Sequence, residues 1–161
     1  MASFDNIFTI ALLFGLAVAF LTGIVLWNTM TSPELVDTLW SQSSVGEGIQ
    51  ANGQSFYDNL DATYVLIYFA LHLGILILAF VLRTHPIVYV ASLLIICVMM
   101  VLAAPLSNTY GSIETSSVFS EASATLPMTS YIMDKLPVLE LLFGFLSATI
   151  LAGMARSEGL I

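Results

Sequence analysis

A bundle of four membrane-spanning α-helices is the fold class this chain predicts, and three observations predict it. Four apolar blocks, roughly 7–27, 62–82, 86–106 and 137–155, carry most of the hydrophobic side chains of the 161-residue sequence. At 1.5 Å of rise per residue, about 20 residues cross a hydrocarbon core of ~30 Å. Composition agrees: 58% of residues are hydrophobic and 9% charged, where a soluble domain carries about 25% charged residues. The apolar runs are continuous, without the period-two alternation of a spanning barrel strand. Lipid then leaves the helix as the segment that satisfies its own backbone.

The first block has no basic residues ahead of it, and its apolar run is longer than that of a cleavable leader, so it reads as a retained spanning helix. The second and third are separated by Arg83-Thr84-His85-Pro86. That connection reads as a tight helical hairpin, with Pro86 opening the next helix. Arg83 and Arg156 mark the hairpin and the C-terminus as the cytoplasmic side, against Lys135 on the other, which gives N-in/C-in. The fourth block opens at Pro137. The whole chain, 1–161, is expected to be one membrane domain, with no room for a separate soluble enzyme domain.

Two polar loops, 28–61 and 107–136, then lie on the opposite face. They hold Glu34, Asp37, Glu47, Asp58, Asp61, Glu114, Glu121 and Asp134 of the eleven acids. Both loops carry signals for short amphipathic helices. In the first, Ser32-Pro33-Glu34 is a helix start followed by Leu35, Val36, Leu39 and Trp40 on one face. A break is expected at Gly46-Glu47-Gly48, and then a helix from Ile49 that Gly53 weakens. In the second, Leu126-Pro127-Met128 leads into Tyr131, Ile132 and Met133. Trp27, Trp40, Tyr57, Tyr64 and Tyr110 fall near span ends, as interfacial aromatic belts do.

Net charge is −8 with only three Lys and Arg residues. The absence of a basic cluster argues against nucleic-acid binding and against docking on anionic headgroups. One cysteine, Cys97, leaves no intrachain disulfide. Beside Met99 and Met100 it could suggest copper, but no second group of soft ligands accompanies it. No phosphate-binding glycine loop, zinc-binding pair or nucleophile elbow is present. No catalytic, metal or cofactor site is therefore expected, and the chain does not read as an enzyme.

Only His72 and Glu140, among residues of the His, Lys, Arg, Asp and Glu types, fall inside the apolar blocks. Such residues are candidate functional sites because charge in lipid is costly. Glu140 follows Pro137 by three residues, so it can serve free N–H groups at a helix start. His72 lies near the middle of its block, as a switch, a ligand or a neutral imidazole bonded to another helix. Paired, they form the one sharp constellation available, although their positions place them at different depths. Gly144, Ala148 and Ala152 form a small-residue series for close helix packing, within the bundle or between subunits, and Gly15 and Gly23 share a face of the first block.

The residues Pro105-Leu106-Ser107-Asn108-Thr109-Tyr110, then Ala124-Thr125-Leu126-Pro127-Met128-Thr129-Ser130-Tyr131-Ile132-Met133, then Lys135-Leu136-Pro137 resemble small multi-spanning virion membrane proteins of tailless icosahedral phages with an internal lipid membrane. The resemblance covers about a third of the chain and carries no catalytic residues. It implies a protein made in the host inner membrane and embedded in the virion's bilayer, its acidic loops toward either the capsid or the packaged genome; an acidic surface repels DNA, which favours the capsid. The functional expectation is a structural, non-enzymatic subunit of a membrane assembly, homo- or hetero-oligomeric, touching lipid and other membrane or capsid proteins. The alternatives are a holin-like or ion-conducting pore, and an accessory subunit of a respiratory or transport complex. Thr9, Thr22, Ser92, Ser147 and Thr149 are few and scattered for a conducting path.

Overall fold

The structure is a computed structural model describing residues 2–32, 44–81 and 86–157. The described residues are almost wholly helical and contain no strand. We number the helices α1 (Ala2–Met30), α2 (Ser44–Asp58), α3 (Leu60–Val81), α4 (Pro86–Glu114), α5 (Ser120–Ala124), α6 (Pro127–Asp134) and α7 (Leu136–Ser157). Four apolar stretches are long enough to cross a membrane, and α1, α3, α4 and α7 carry them. The all-α polytopic fold expected from the sequence is the fold observed. The helix expected after Ser32-Pro33-Glu34, with Leu35, Val36, Leu39 and Trp40, lies outside the described residues, as does Arg83.

Each spanning helix turns a narrow stripe inward. On α1 the stripe is Ile10, Leu13, Ala17, Leu21 and Ile24, and on α3 it is Leu60, Tyr64, Tyr68 and His72. Met99, Ala103, Ser107 and Tyr110 supply it on α4, and Leu136, Glu140, Ala148 and Leu151 on α7. Spacings of three and four residues keep each set on one helix face. The opposite faces are as apolar: Leu66, Phe69, Leu73 and Ile77 on α3, or Leu142, Phe145 and Leu146 on α7, are all exposed. Such continuous apolar surface is foreign to a protein in water, and lipid is the solvent it fits.

The most extensive helix pairing is α4 with α7, and small residues create it. A Cβ on Gly144 would stand 2.8 Å from Ile96 Cγ1, so the missing methyl is space that Ile96 occupies. Ala148 is buried and Ala152 half-buried on the same side. The Gly144, Ala148, Ala152 series thus serves packing inside the bundle. Gly15, by contrast, is exposed, and a Cβ there would meet nothing within 4 Å, so it makes no such contact. Leu13, Ala17 and Leu21 bear the α1 packing instead.

Several boundaries differ from expectation, two of them for one reason. Hydroxyl side chains near helix ends bond the carbonyl four residues back and let the helix absorb polar sequence. Thr109 Oγ1 donates to the Pro105 carbonyl (2.7 Å), Ser112 Oγ to Asn108 (3.0 Å) and Thr115 Oγ1 to Gly111 (2.7 Å). The third span therefore runs through Pro105 to Glu114 rather than ending near 106. Thr29 and Thr31 do the same for the end of α1. The expected break at Gly46-Glu47-Gly48 is also absent, since α2 runs continuously from Ser44 to Asp58. Gly53 has a packing reason for being small: a Cβ there would overlap the Trp27 indole. Tyr64 and Tyr110 are core residues, not interfacial belts, each at most 1% exposed.

The Gly144–Ile96 contact makes a graded prediction. Gly144→Ala should change stability by less than ~1 kcal/mol, because better helix propensity offsets a small shift of Ile96. Gly144→Leu should cost about 1–3 kcal/mol by overpacking. Thermal unfolding in detergent, read by circular dichroism, separates the two.

Candidate functional site

The α3 stripe places Tyr64, Tyr68 and His72 at four-residue intervals, with Tyr68 and His72 against α7. His72 and Glu140 are 3% and 6% exposed, and His72 Nε2 lies 3.0 Å from Glu140 Oε1. The expected difference in depth is corrected by α6. Asp61, one residue into α3, holds the start of α6: its Oδ1 accepts from the Thr129 N–H (2.7 Å) and hydroxyl (2.8 Å), its Oδ2 from the Met128 N–H (3.0 Å). One turn further along α3, the Tyr64 hydroxyl meets Met133 Sδ at 3.1 Å. The short helix thus runs beside the first two turns of α3, and α7 starts level with the turns after them. Counting residues from each helix start puts Glu140 ~12 Å shallower than His72. The α6 insertion removes that offset.

Glu140 is not a helix cap. The amides of Val138 and Leu139 already reach the Lys135 carbonyl, each at 3.0 Å, so α7 begins on the last residue of the α6 turn. Glu140 is left to serve His72.

The imidazole is held on three sides. His72 Nδ1 is 2.8 Å from the Tyr68 carbonyl. A carbonyl only accepts, so Nδ1 carries a hydrogen and donates it. The Tyr68 ring lies over the imidazole at 4.3 Å and the Phe143 ring at 4.4 Å, tilted by 35° and 38°. Phe69 and Phe143 close the layer edge to face at 6.2 Å. The Tyr68 hydroxyl is buried with no hydrogen-bond partner among the described residues.

A second polar layer, toward the loops, fastens α6 to its neighbours. Ser107 Oγ donates to the Asp134 carbonyl (3.1 Å), and the hydroxyls of Tyr110 and Ser130 stand 3.4 Å apart. Tyr64 OH is also 3.4 Å from the Leu13 carbonyl, which brings α1 into the layer. Lys135 is exposed and paired with Asp134 at 2.6 Å, and that carboxylate holds its ammonium above the usual lysine range. Beyond this layer, Trp27 Nε1 donates to Gln54 Oε1 (3.3 Å) and Gln54 Nε2 to Asp58 Oδ1 (2.9 Å), tying α2 to the end of α1.

The sequence-predicted residues divide clearly. His72 and Glu140 are brought together, while Gly144, Ala148 and Ala152 pack on the α7 side of the core. Arg156 lies on α7. Met99 is buried whereas Cys97 and Met100 are exposed, so the three sulfurs do not converge. In the sequence Asp61 is one of eight loop acids. Its capping role had one signal in the sequence: Leu126-Pro127 starts a helix with no Ser, Thr, Asp or Asn at its N-cap, so the acceptor must come from elsewhere. Among the described residues no group of three or more His, Cys, Asp or Glu could hold a metal. Comparison with protein-family models, curated proteins and solved structures found no match.

Two predictions follow from these layers. Asp61→Ala should cost about 1–2 kcal/mol and speed amide exchange at Met128 and Thr129, whereas Asp61→Asn keeps part of the protection. A double-mutant cycle on His72→Ala and Glu140→Ala, measured by unfolding in micelles, should return a coupling of about 1–2 kcal/mol. A coupling near zero would mean that the pair does not join α3 to α7.

Proposed function

We propose that this chain is a non-enzymatic structural membrane protein, a four-helix scaffold within a larger membrane assembly. The observation that carries the reading is how the described intramembrane polar groups are spent. Thr22 donates to the Val18 carbonyl, Ser147 to Phe143 and Thr149 to Phe145, each within its own helix turn. His72 and Glu140 are closed on each other and on Tyr68. An ion pathway needs polar groups free to replace a hydration shell along several spans. These groups are already occupied, and the unpartnered Tyr68 hydroxyl is a single group rather than a path along several spans, which favours a scaffold over a pore.

The helical face at the loop end supports an assembly role. There α2, α5 and α6 form an ordered layer rather than free loops, with exposed Ile49, Phe56, Val118, Met128 and Tyr131. Aromatic residues and Met are enriched at protein contacts. We place the assembly in the bilayer of a membrane-containing virion on the strength of the resemblance at 105–110 and 124–137. Its contacts there are lipid and capsid or membrane proteins. An accessory subunit of a respiratory or transport complex shares the same geometry and is the runner-up.

Purified protein in proteoliposomes tests the scaffold reading against the pore. Proton and potassium flux should equal that of empty vesicles, while crosslinking in the native membrane should trap defined oligomers or partners. Flux that rises with protein content and is lost in Glu140→Gln would contradict the scaffold reading.

A further inference from the structure

We propose that the His72–Glu140 pair is a buried proton-binding site whose occupancy by one proton locks α3 to α7. The inference is independent of what the bundle assembles with. Its foundation is the tautomer that the geometry imposes. With Nδ1–H given to the Tyr68 carbonyl, the 3.0 Å bond between Nε2 and Oε1 exists only if one further proton lies in it. That proton sits either on the carboxyl, donating to a neutral imidazole, or on the imidazolium, donating to a carboxylate. Both arrangements have zero net charge, and both keep the bond.

The other occupancies leave a net charge. Without the proton, a carboxylate faces the bare lone pair of Nε2, the bond is lost and the layer holds one negative charge. With a second, the imidazolium can still donate to the carbonyl oxygen of the neutral carboxyl, but the layer holds one positive charge. Either leaves an unpaired charge in an apolar interior, which is strongly unfavourable. Little in the surroundings could neutralise it. Among the described residues the buried polar or charged ones are His72, Glu140, Ser107 and Thr129, and the latter two are uncharged. From α3, the titratable neighbours are Tyr68 and Tyr64. From α4, Tyr110 lies toward the loops beside Ser130, while Met99 and Ala103 are apolar. The described core stripe of α1, Ile10 to Ile24, is wholly apolar. From α6 comes Met133, with Asp134 and Lys135 outside and paired to each other, and Asp61 is spent on Met128 and Thr129. The Tyr68 and Phe143 rings, within ~6 Å of the imidazole, offer their faces to an imidazolium and keep solvent from it.

The tyrosine ladder marks the side from which the proton comes. Tyr68 and Tyr64 step from the pair toward the Asp61–Thr129 layer at the loop end, and the Tyr68 hydroxyl has no partner of its own. On the far side the described core residues of α7, Ala148 and Leu151, carry no hydroxyl or carboxyl group. The described polar groups nearest the pair therefore lie toward the acidic loops.

Two measurements test the site in micelles or nanodiscs. In protein labelled with ¹⁵N-histidine, with His85→Gln used for assignment, His72 Nδ1 should keep the shift of a protonated nitrogen at every pH at which the fold persists. A bare Nδ1 with protonated Nε2 at neutral pH would overturn the proposal. Thermal unfolding across pH should pass through a maximum and fall on both sides. Glu140→Gln keeps the bond, its amide donating to Nε2, but has no proton to lose. Its alkaline decline should be smaller than that of the wild type by ~5 °C or more, with the acid decline retained. Superimposable wild-type and Glu140→Gln profiles would refute a shared proton.

Discussion

A polar group taken into lipid must find its partner within the protein, and in this molecule that requirement sets the register of the bundle. His72 and Glu140 belong to helices that start at different levels by residue count. They meet because α6, pinned to the first turn of α3 by Asp61, displaces the start of α7 inward. A bundle with α7 shifted by one turn would strand a carboxyl group against hydrocarbon and an imidazole without its second bond. The cost of those orphans is what makes one register preferred over its neighbours.

Apolar burial cannot make the same choice. Leucine gains little by leaving lipid for a protein interior of equal polarity, so helices associate through close packing and hydrogen bonds. The molecule divides those tasks by layer. Away from the loop end, Gly144 and Ala148 let α7 approach α4 until Ile96 fills the glycine's space. Midway, the imidazole lies between two aromatic rings and bonds across to α7. At the loop end, Asp61, Ser107 and Tyr64 bring α6 into contact with three spanning helices. Packing sets distance and the polar layers set register. A bundle in lipid needs both to hold one arrangement.

The sequence made the spans plain, because four runs of continuous apolarity have one reading in a chain this poor in charge. It also singled out His72, Glu140 and the Gly144 series, which the structure places in the core and on the α4–α7 contact. It misjudged their relation. Counting positions from Ala62 and Pro137 assumes that spans begin at a common level, and nothing local reveals that 127–134 folds back beside α3. The end of the third span was hidden for a different reason: Ser107-Asn108-Thr109 looks like a loop until its hydroxyls are seen bonding backward along the helix. Asp61 escaped notice since a cap donated across 67 and 68 residues of sequence has no local pattern. Periodicity reports what a helix hides, whereas long-range polar bonds are known only from where the helices stop.

One distance tests this account most directly. Dipolar recoupling by solid-state NMR, in bilayers, between ¹⁵N at His72 Nε2 and ¹³C at the Glu140 carboxyl reads the pairing without perturbing it. The account predicts a strong coupling, the nitrogen and the nearer oxygen at hydrogen-bond distance, ~3 Å. A coupling too weak to detect would place the two groups at separate depths, and the register, the locked proton and the α6 insertion would fall together.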